Sequence, residues 1–211
     1  MVRMNPATSR ANATKERILD VAERLFAEQG VFAVSNRQIS EAAGQGNNAA
    51  VGYHFGTKAD LLRAIVRRHA EPVESHRERL LDECGESREV RDWVRCLVLP
   101  GVEHHASLRD STLARFSAQL MSDPSLRELV VAEALSGPTL LRVMDGLNDC
   151  LPDLPLRAKL VRNDMTRHVL VHMMAEQERA IADGTARLTW EETADNVIDA
   201  LTGLWLAPVT G

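Results

Sequence analysis

Between Ser35 and Leu62 the chain reads SNRQISEAAGQGNNAAVGYHFGTKADLL, and no other stretch restricts the fold as much. Ser35 can cap a short helix by accepting a free backbone N–H. Ile39, Ala42 and Ala43 give that helix an inward face, and Gly44 stops it. Gln45-Gly46-Asn47-Asn48 forms a turn, with Asn47 or Asn48 as the next cap, and a second short helix follows over about Ala49 to Phe55. Gly56 closes it. Thr57 caps a further helix, with Asp60 in the first turn, where the helix dipole favours an acid. Two short helices across a tight glycine turn are the unit that can lay one helix in the major groove of DNA.

The flanking residues predict helix throughout. Residues 1–12, with Arg3 and Arg10, read as a flexible polar arm. Ile18, Val21, Ala22, Leu25 and Phe26 then share one helical face, and Gly30 ends that helix. Leu61, Leu62, Ile65 and Val66 form the buried face of the helix that starts at Thr57, which Pro72 should bend or break. Beyond it the spacing predicts helices near 73–84, 88–99, 109–122, 125–149, 156–183 and 190–206, with a kink at Gly137-Pro138. No segment alternates as a strand does. The expected fold is all-α: a three-helix helix-turn-helix head on a C-terminal helical bundle, about nine or ten helices in total.

Composition narrows the classes further. Aromatics make up only 4% of the chain, while helix-favouring Leu, Ala, Arg and Glu are abundant. No apolar run approaches the ~20 residues that span a bilayer, and the first residues lack the apolar core of a secretory signal. Cys84, Cys96 and Cys150 have no metal-binding spacing and read as reduced thiols of a cytoplasmic protein. The net charge of −5 is unevenly spread: residues 1–68 hold 10 Lys and Arg against 6 Asp and Glu, and residues 69–211 hold 15 against 24. A basic head on an acidic body suits a nucleic-acid reader with a separate regulatory part.

In the head, Ala49, Ala50 and Gly52 are small enough for close approach to a groove, and Asn47 and Asn48 stand at a helix start that favours phosphate. Ser35, Tyr53, His54, Thr57 and Lys58 offer hydroxyls, an imidazole and an ammonium to phosphate oxygens, while Arg37, Gln38, Asn47 and Asn48 could reach base edges. Together Ser35, Ala43-Gly44, Tyr53-His54-Phe55 and Thr57-Lys58 resemble, in that order, the DNA-binding segment of the tetracycline-repressor (TetR) family of bacterial transcription regulators. The likeness covers about residues 14–66, and the turn at Gln45–Asn48 looks one residue longer than the commonest family pattern.

This resemblance implies a ligand-responsive repressor, not an enzyme, acting as a homodimer on a palindromic operator. It divides the chain into an arm (1–12), a helix-turn-helix domain (13–56) and an effector-binding and dimerisation domain (57–211). Expected partners are a double-stranded DNA operator, a second copy of the chain and a small-molecule effector, with no membrane and no required cofactor. Family dimers pack their last two helices against their twins, which assigns Leu170, Val197, Ile198, Leu201 and Trp205 to the interface, unless that face closes the chain's own core. The implied effector pocket has candidates in Trp93, Phe116, Met121, Met144, Met165, Met173 and Met174, most of which read as plain core, and in His168 and His172, which read as a partly solvated or pocket-lining polar stripe. Asp164, His168, His172 and Glu176 recur every four residues, with Glu103-His104-His105 as further donors. A metal site on Asp164, His168 and His172, in a helical metal-binding protein or metalloenzyme, is the alternative.

Overall fold

A computed structural model of the chain describes residues 6–209, and ten α-helices account for its regular structure there. They are α1 (Pro6–Gln29), α2 (Asn36–Ala42), α3 (Ala50–Phe55), α4 (Lys58–Cys84), α5 (Val90–Ser107), α6 (Leu113–Ser122), α7 (Pro124–Ala134), α8 (Pro138–Cys150), α9 (Leu156–Ala182) and α10 (Trp190–Leu206). The expected arm is already helical from Pro6, and Arg3 lies outside the described residues.

Prolines act differently from expectation at three places. α4 runs unbroken through Pro72, and α5 through Pro100. Each proline removes one ladder bond, and the packing of α4 on α5, and of α5 on α10, offsets that loss. At Gly137-Pro138 the chain divides into two helices, with Pro138 in the first turn of α8, where its missing N–H goes unneeded.

Two apolar cores form. The head core joins Ile18, Phe26, Ile39, Val51, Leu61 and Ile65, and α6 adds Leu113, Phe116 and Leu120 to it. The Phe116 ring stacks on that of Phe26 at 6.2 Å. The body core gathers Leu81, Val94, Val98, Val143, Leu147, Ile198, Leu201 and Trp205 from α4, α5, α8 and α10. Gly146 is required within it, because a Cβ there would lie 2.3 Å from the Trp93 indole.

Several helix ends are satisfied by distant side chains. Glu74 of α4 accepts both the N–H and the hydroxyl of Thr139 at the start of α8, at 2.9 and 2.7 Å. Glu178 of α9 accepts the N–H groups of Ala114 and Arg115 at the start of α6 and pairs with the Arg115 guanidinium. The Arg162 guanidinium donates to the carbonyls of Trp205 and Ala207 at the end of α10, where the helix dipole favours a cation.

Head and body meet at a polar joint. Glu23 of α1, almost fully buried, accepts from Arg68 and pairs with His69, both on α4, each at 2.7 Å. The other nitrogen of His69 meets His104 of α5 at 2.9 Å. Burial and the neighbouring His69, His76 and Arg68 push the His104 imidazole down to about 4, and burial beside His104 does the same to His105. The His69 and Arg68 pairings hold the Glu23 carboxyl below its ordinary value despite burial. A cleft of about 610 Å³ opens beside this joint.

Candidate nucleic-acid interface

The turn and the two short helices are held from below. Ser35 caps α2 in a reciprocal box with Gln38, and Thr57 does the same for α4 with Asp60. Ser40, fully buried on α2, donates to the carbonyl of Asn48 and accepts from the Val51 N–H. That one hydroxyl ties α2, the turn and α3 together. Sequence reasoning missed it, and the only signal was a serine among the small residues of an otherwise amphipathic helix.

α3 begins later than expected. Ala49, not an asparagine, occupies its cap position, and the Asn47 side chain accepts the Ala49 N–H at 2.9 Å. Val51 and Ala50 anchor the helix in the head core, so Gly46, Asn47, Asn48, Ala49, Gly52 and Tyr53 form an exposed strip on its far side. Tyr53 is 84% exposed, an unusual position for an aromatic ring unless it meets a partner, and the His54 ring stands edge-on to it at 5.0 Å. A Cβ on Gly46 or Gly52 would meet no atom within 4 Å, so this face is open.

The other predicted contacts separate into outward and inward groups. Arg37 extends into solvent and pairs with Glu41 at 2.8 Å. Ser35, Gln38 and Thr57 have hydroxyl or amide groups engaged in the caps. Lys58 turns inward: its ammonium donates to the carbonyls of Val31 and Val34 and lies 5.9 Å from the Phe26 ring centroid, and burial lowers its pKa. It closes the connector between α1 and α2 and does not stand on the surface as a free phosphate ligand.

In the body, the residues expected around one pocket scatter. Trp93 is in the body core, its indole N–H on the Ser87 carbonyl, and Phe116 is in the head core. Met174 joins the body core, Met121 and Met144 are half-buried, and Met165, Met173, His168 and His172 face outward from α9. The space instead lies between α4 and the α7–α8 corner, a cavity of about 680 Å³ with Val66, Ala70, Val73, Val130 and Leu140 in its walls. Each wall is unremarkable in sequence, and only the meeting of small residues such as Ala70, Ala134 and Gly137 across two helices leaves the volume.

The expected interface needs correction as well. Val197, Ile198, Leu201 and Trp205 are at most 2% exposed and close the chain's own core against α5, while Leu170 packs on the edge of that core. Among the apolar side chains left exposed are Leu160, Val161 and Met165 on α9 and Leu206 on α10. The histidine stripe lies on this outer face. The His168 and His172 rings stack at 5.9 Å, and Asp164 pairs with Arg167. Glu103 binds His76 and Arg79, His104 binds His69 and His105 stacks on Trp190, so none of them joins the stripe. Among the described residues no three His, Cys, Asp or Glu side chains converge as a metal site. Among them, too, no helix is long and apolar enough to cross a membrane.

Comparison with known proteins bears on both parts. Residues 18–65 match the family described as "Bacterial regulatory proteins, tetR family", and residues 95–203 match "Tetracyclin repressor-like, C-terminal domain". The HTH-type transcriptional regulator AcrR of Shigella flexneri is 46% identical over 55 residues, which is 26% of this chain and 25% of that protein, so the likeness spans only about a quarter of the curated relative. The fatty acid degradation regulator FadR from Bacillus halodurans superposes with a TM-score of 0.64 at 18% identity, covering 96% of this chain and 97% of its own. NalD of Pseudomonas aeruginosa, the secondary repressor of the MexAB-OprM multidrug efflux pump, gives 0.60 at 22% identity, covering 94% and 98%.

Proposed function

The chain belongs to the TetR family of bacterial regulatory proteins, and from that premise we propose that it is a ligand-responsive transcriptional repressor that binds a near-palindromic operator as a homodimer. The observation that carries this is the exposed strip on α3. A short helix is fixed from beneath by the Ser40 hydroxyl and the head core, and it presents only polar, small and aromatic groups outward. Tyr53, His54 and the backbone around Asn47 and Asn48 meet phosphates, while Arg37 and the two asparagine side chains reach base edges. The reading head corresponds to residues 13–56, carried on the helix that starts at Thr57.

The second copy covers the outer face of α9. Leu160, Val161 and Met165, with Leu206 of α10, are apolar and about half exposed. Two-fold packing would bury them. An effector in the cavity between α4, α7 and α8 would shift α4, and α4 carries the head. Half-sites on B-DNA repeat every ~34–36 Å, so a change of a few Å in head spacing breaks simultaneous docking and removes the gain of an intramolecular second contact.

The test is fluorescence anisotropy of the protein on duplexes tiled across the DNA flanking its coding region, at two salt concentrations. Tight, salt-sensitive binding to one near-palindromic tile is expected. Weak binding, equal on every tile, would count against the proposal.

A further inference from the structure

The charge around the cavity between α4, α7 and α8 is unbalanced, and from it we infer that the cavity takes a lipophilic organic cation, an inference that rests on the reading of this cavity as the effector site. Five charged side chains line it: Arg67, Glu71, Glu74 and Arg77 along one face of α4, and Glu133 from α7. Three carboxylates thus meet two guanidiniums. Both guanidiniums are paired, Arg67 with Glu133 through two hydrogen bonds of 2.7 and 2.9 Å, and Arg77 with Glu74 at 3.3 Å. Glu71 has no ion pair among the described residues. The Arg67–Glu133 pair is also asymmetric, because the Arg67 side chain is 68% exposed and that of Glu133 only 12%. Water therefore screens the positive end, and the negative end faces the cavity.

An anion entering this space would meet a net negative charge, with Glu133 weakly screened by its burial and Glu71 unpaired nearer the solvent. A cation would instead find one carboxylate unneutralised. The apolar walls add a second requirement, since a compact ammonium ion would lose its hydration without replacement. A charge shielded or spread by hydrocarbon avoids that loss, and 680 Å³ is the volume of a site for an ordinary organic molecule. The geometry also links occupancy to response. Arg67–Glu133 is a bridge between α4 and α7, and a bound cation can take the place of Arg67 at Glu133. α7 has no fully buried residue and rests on the head core through the partly buried Leu126, Leu129 and Val130, so the bridge is the polar link that a bound cation exchanges.

Tetraphenylphosphonium and tetraphenylborate, of the same shape and opposite charge, are the probes. Each is titrated into the full chain by calorimetry, and each is then added to the protein–operator complex followed by anisotropy. The phosphonium ion should bind about tenfold more tightly than the borate, and Glu71→Gln should weaken the phosphonium alone by roughly fivefold. Glu71 is exposed, so this variant keeps the fold, and Ala134→Trp, also at an exposed position, should block the cavity to both ions. Equal affinity for the two ions, or a preference for borate that Ala134→Trp abolishes, overturns the cation and leaves the cavity as the effector site. Binding of neither ion overturns both. Binding of the phosphonium as expected with no release of operator upholds the ligand class and refutes the cavity's role as effector site.

Discussion

Tyr53 and Lys58 stand five positions apart at the two ends of one recognisable motif, and their surroundings give them opposite tasks. The Tyr53 ring is almost wholly in solvent, while the Lys58 ammonium is bound to two carbonyls beneath the head. Tyr53→Phe should therefore lower affinity for every duplex alike by about fivefold, the worth of one hydrogen bond near 1 kcal/mol. A change in sequence preference would show that Tyr53 reads bases. Lys58→Met should lower stability to urea by about 1–3 kcal/mol yet leave unchanged the slope of log Kd against log salt, because the ammonium neutralises no phosphate. A shallower slope would return Lys58 to the DNA.

At the scale of the element, α6 connects the two halves of the molecule. Its Phe116 and Leu120 belong to the head core, while its first N–H groups are held by Glu178 of α9. Glu178 thus ties α9 to the first turn of α6, and Phe116 and Leu120 tie the rest of α6 to the head. Glu178→Ala strips the helix of its cap and leaves the half-buried Arg115 unpaired, at a loss of about 2–3 kcal/mol. Hydrogen exchange should show it as faster exchange of the Ala114 and Arg115 amides while the α3 amides keep their protection. Loss of protection across the whole head at once would mean that α6 does not act as a separable link.

Over the whole molecule, two helices with similar apolar content have different fates. α10 spends its apolar face on the chain's own core, whereas α9 keeps one outside. If the outer face of α9 carries the proposed dimer, Met165→Glu should give a monomer by light scattering with little change in thermal midpoint, while Ile198→Asp should unfold the chain by leaving a charge in the core. The joint between head and body adds a dependence on pH. His104 folds neutral with its pKa near 4, while an unfolded histidine titrates near 6.5. Between those values the unfolded chain binds the extra proton, so stability falls as pH drops from about 6.5 to 4, by at most ~3 kcal/mol for this ring. Below that window protonation of Glu23, whose carboxyl is held low, acts in the same direction. The urea midpoint should be lower at pH 5 than at pH 7.5, and His104→Leu should reduce the difference.

The sequence by itself determined the helical class, the caps that open α2 and α4, and the family motif. These depend on interactions within a few residues: caps such as Ser35 with Gln38, left-handed glycines such as Gly44 and Gly56, and 3.6-residue periodicity. Periodicity shows that a helix has an apolar face and is silent on what covers that face. For that reason the apolar face of Val197, Ile198, Leu201 and Trp205 reads equally as a dimer surface or as core, and only α5 packed against it decides for core, while the outer face of α9 reads as pocket or metal site in Met165, His168 and His172. The same holds for the long-range caps by Glu74 and Glu178, the inward turn of Lys58 and the cavity beneath Arg67 and Glu133. Each joins residues more than twenty positions apart, and only the packing of one helix on another brings them within bonding distance.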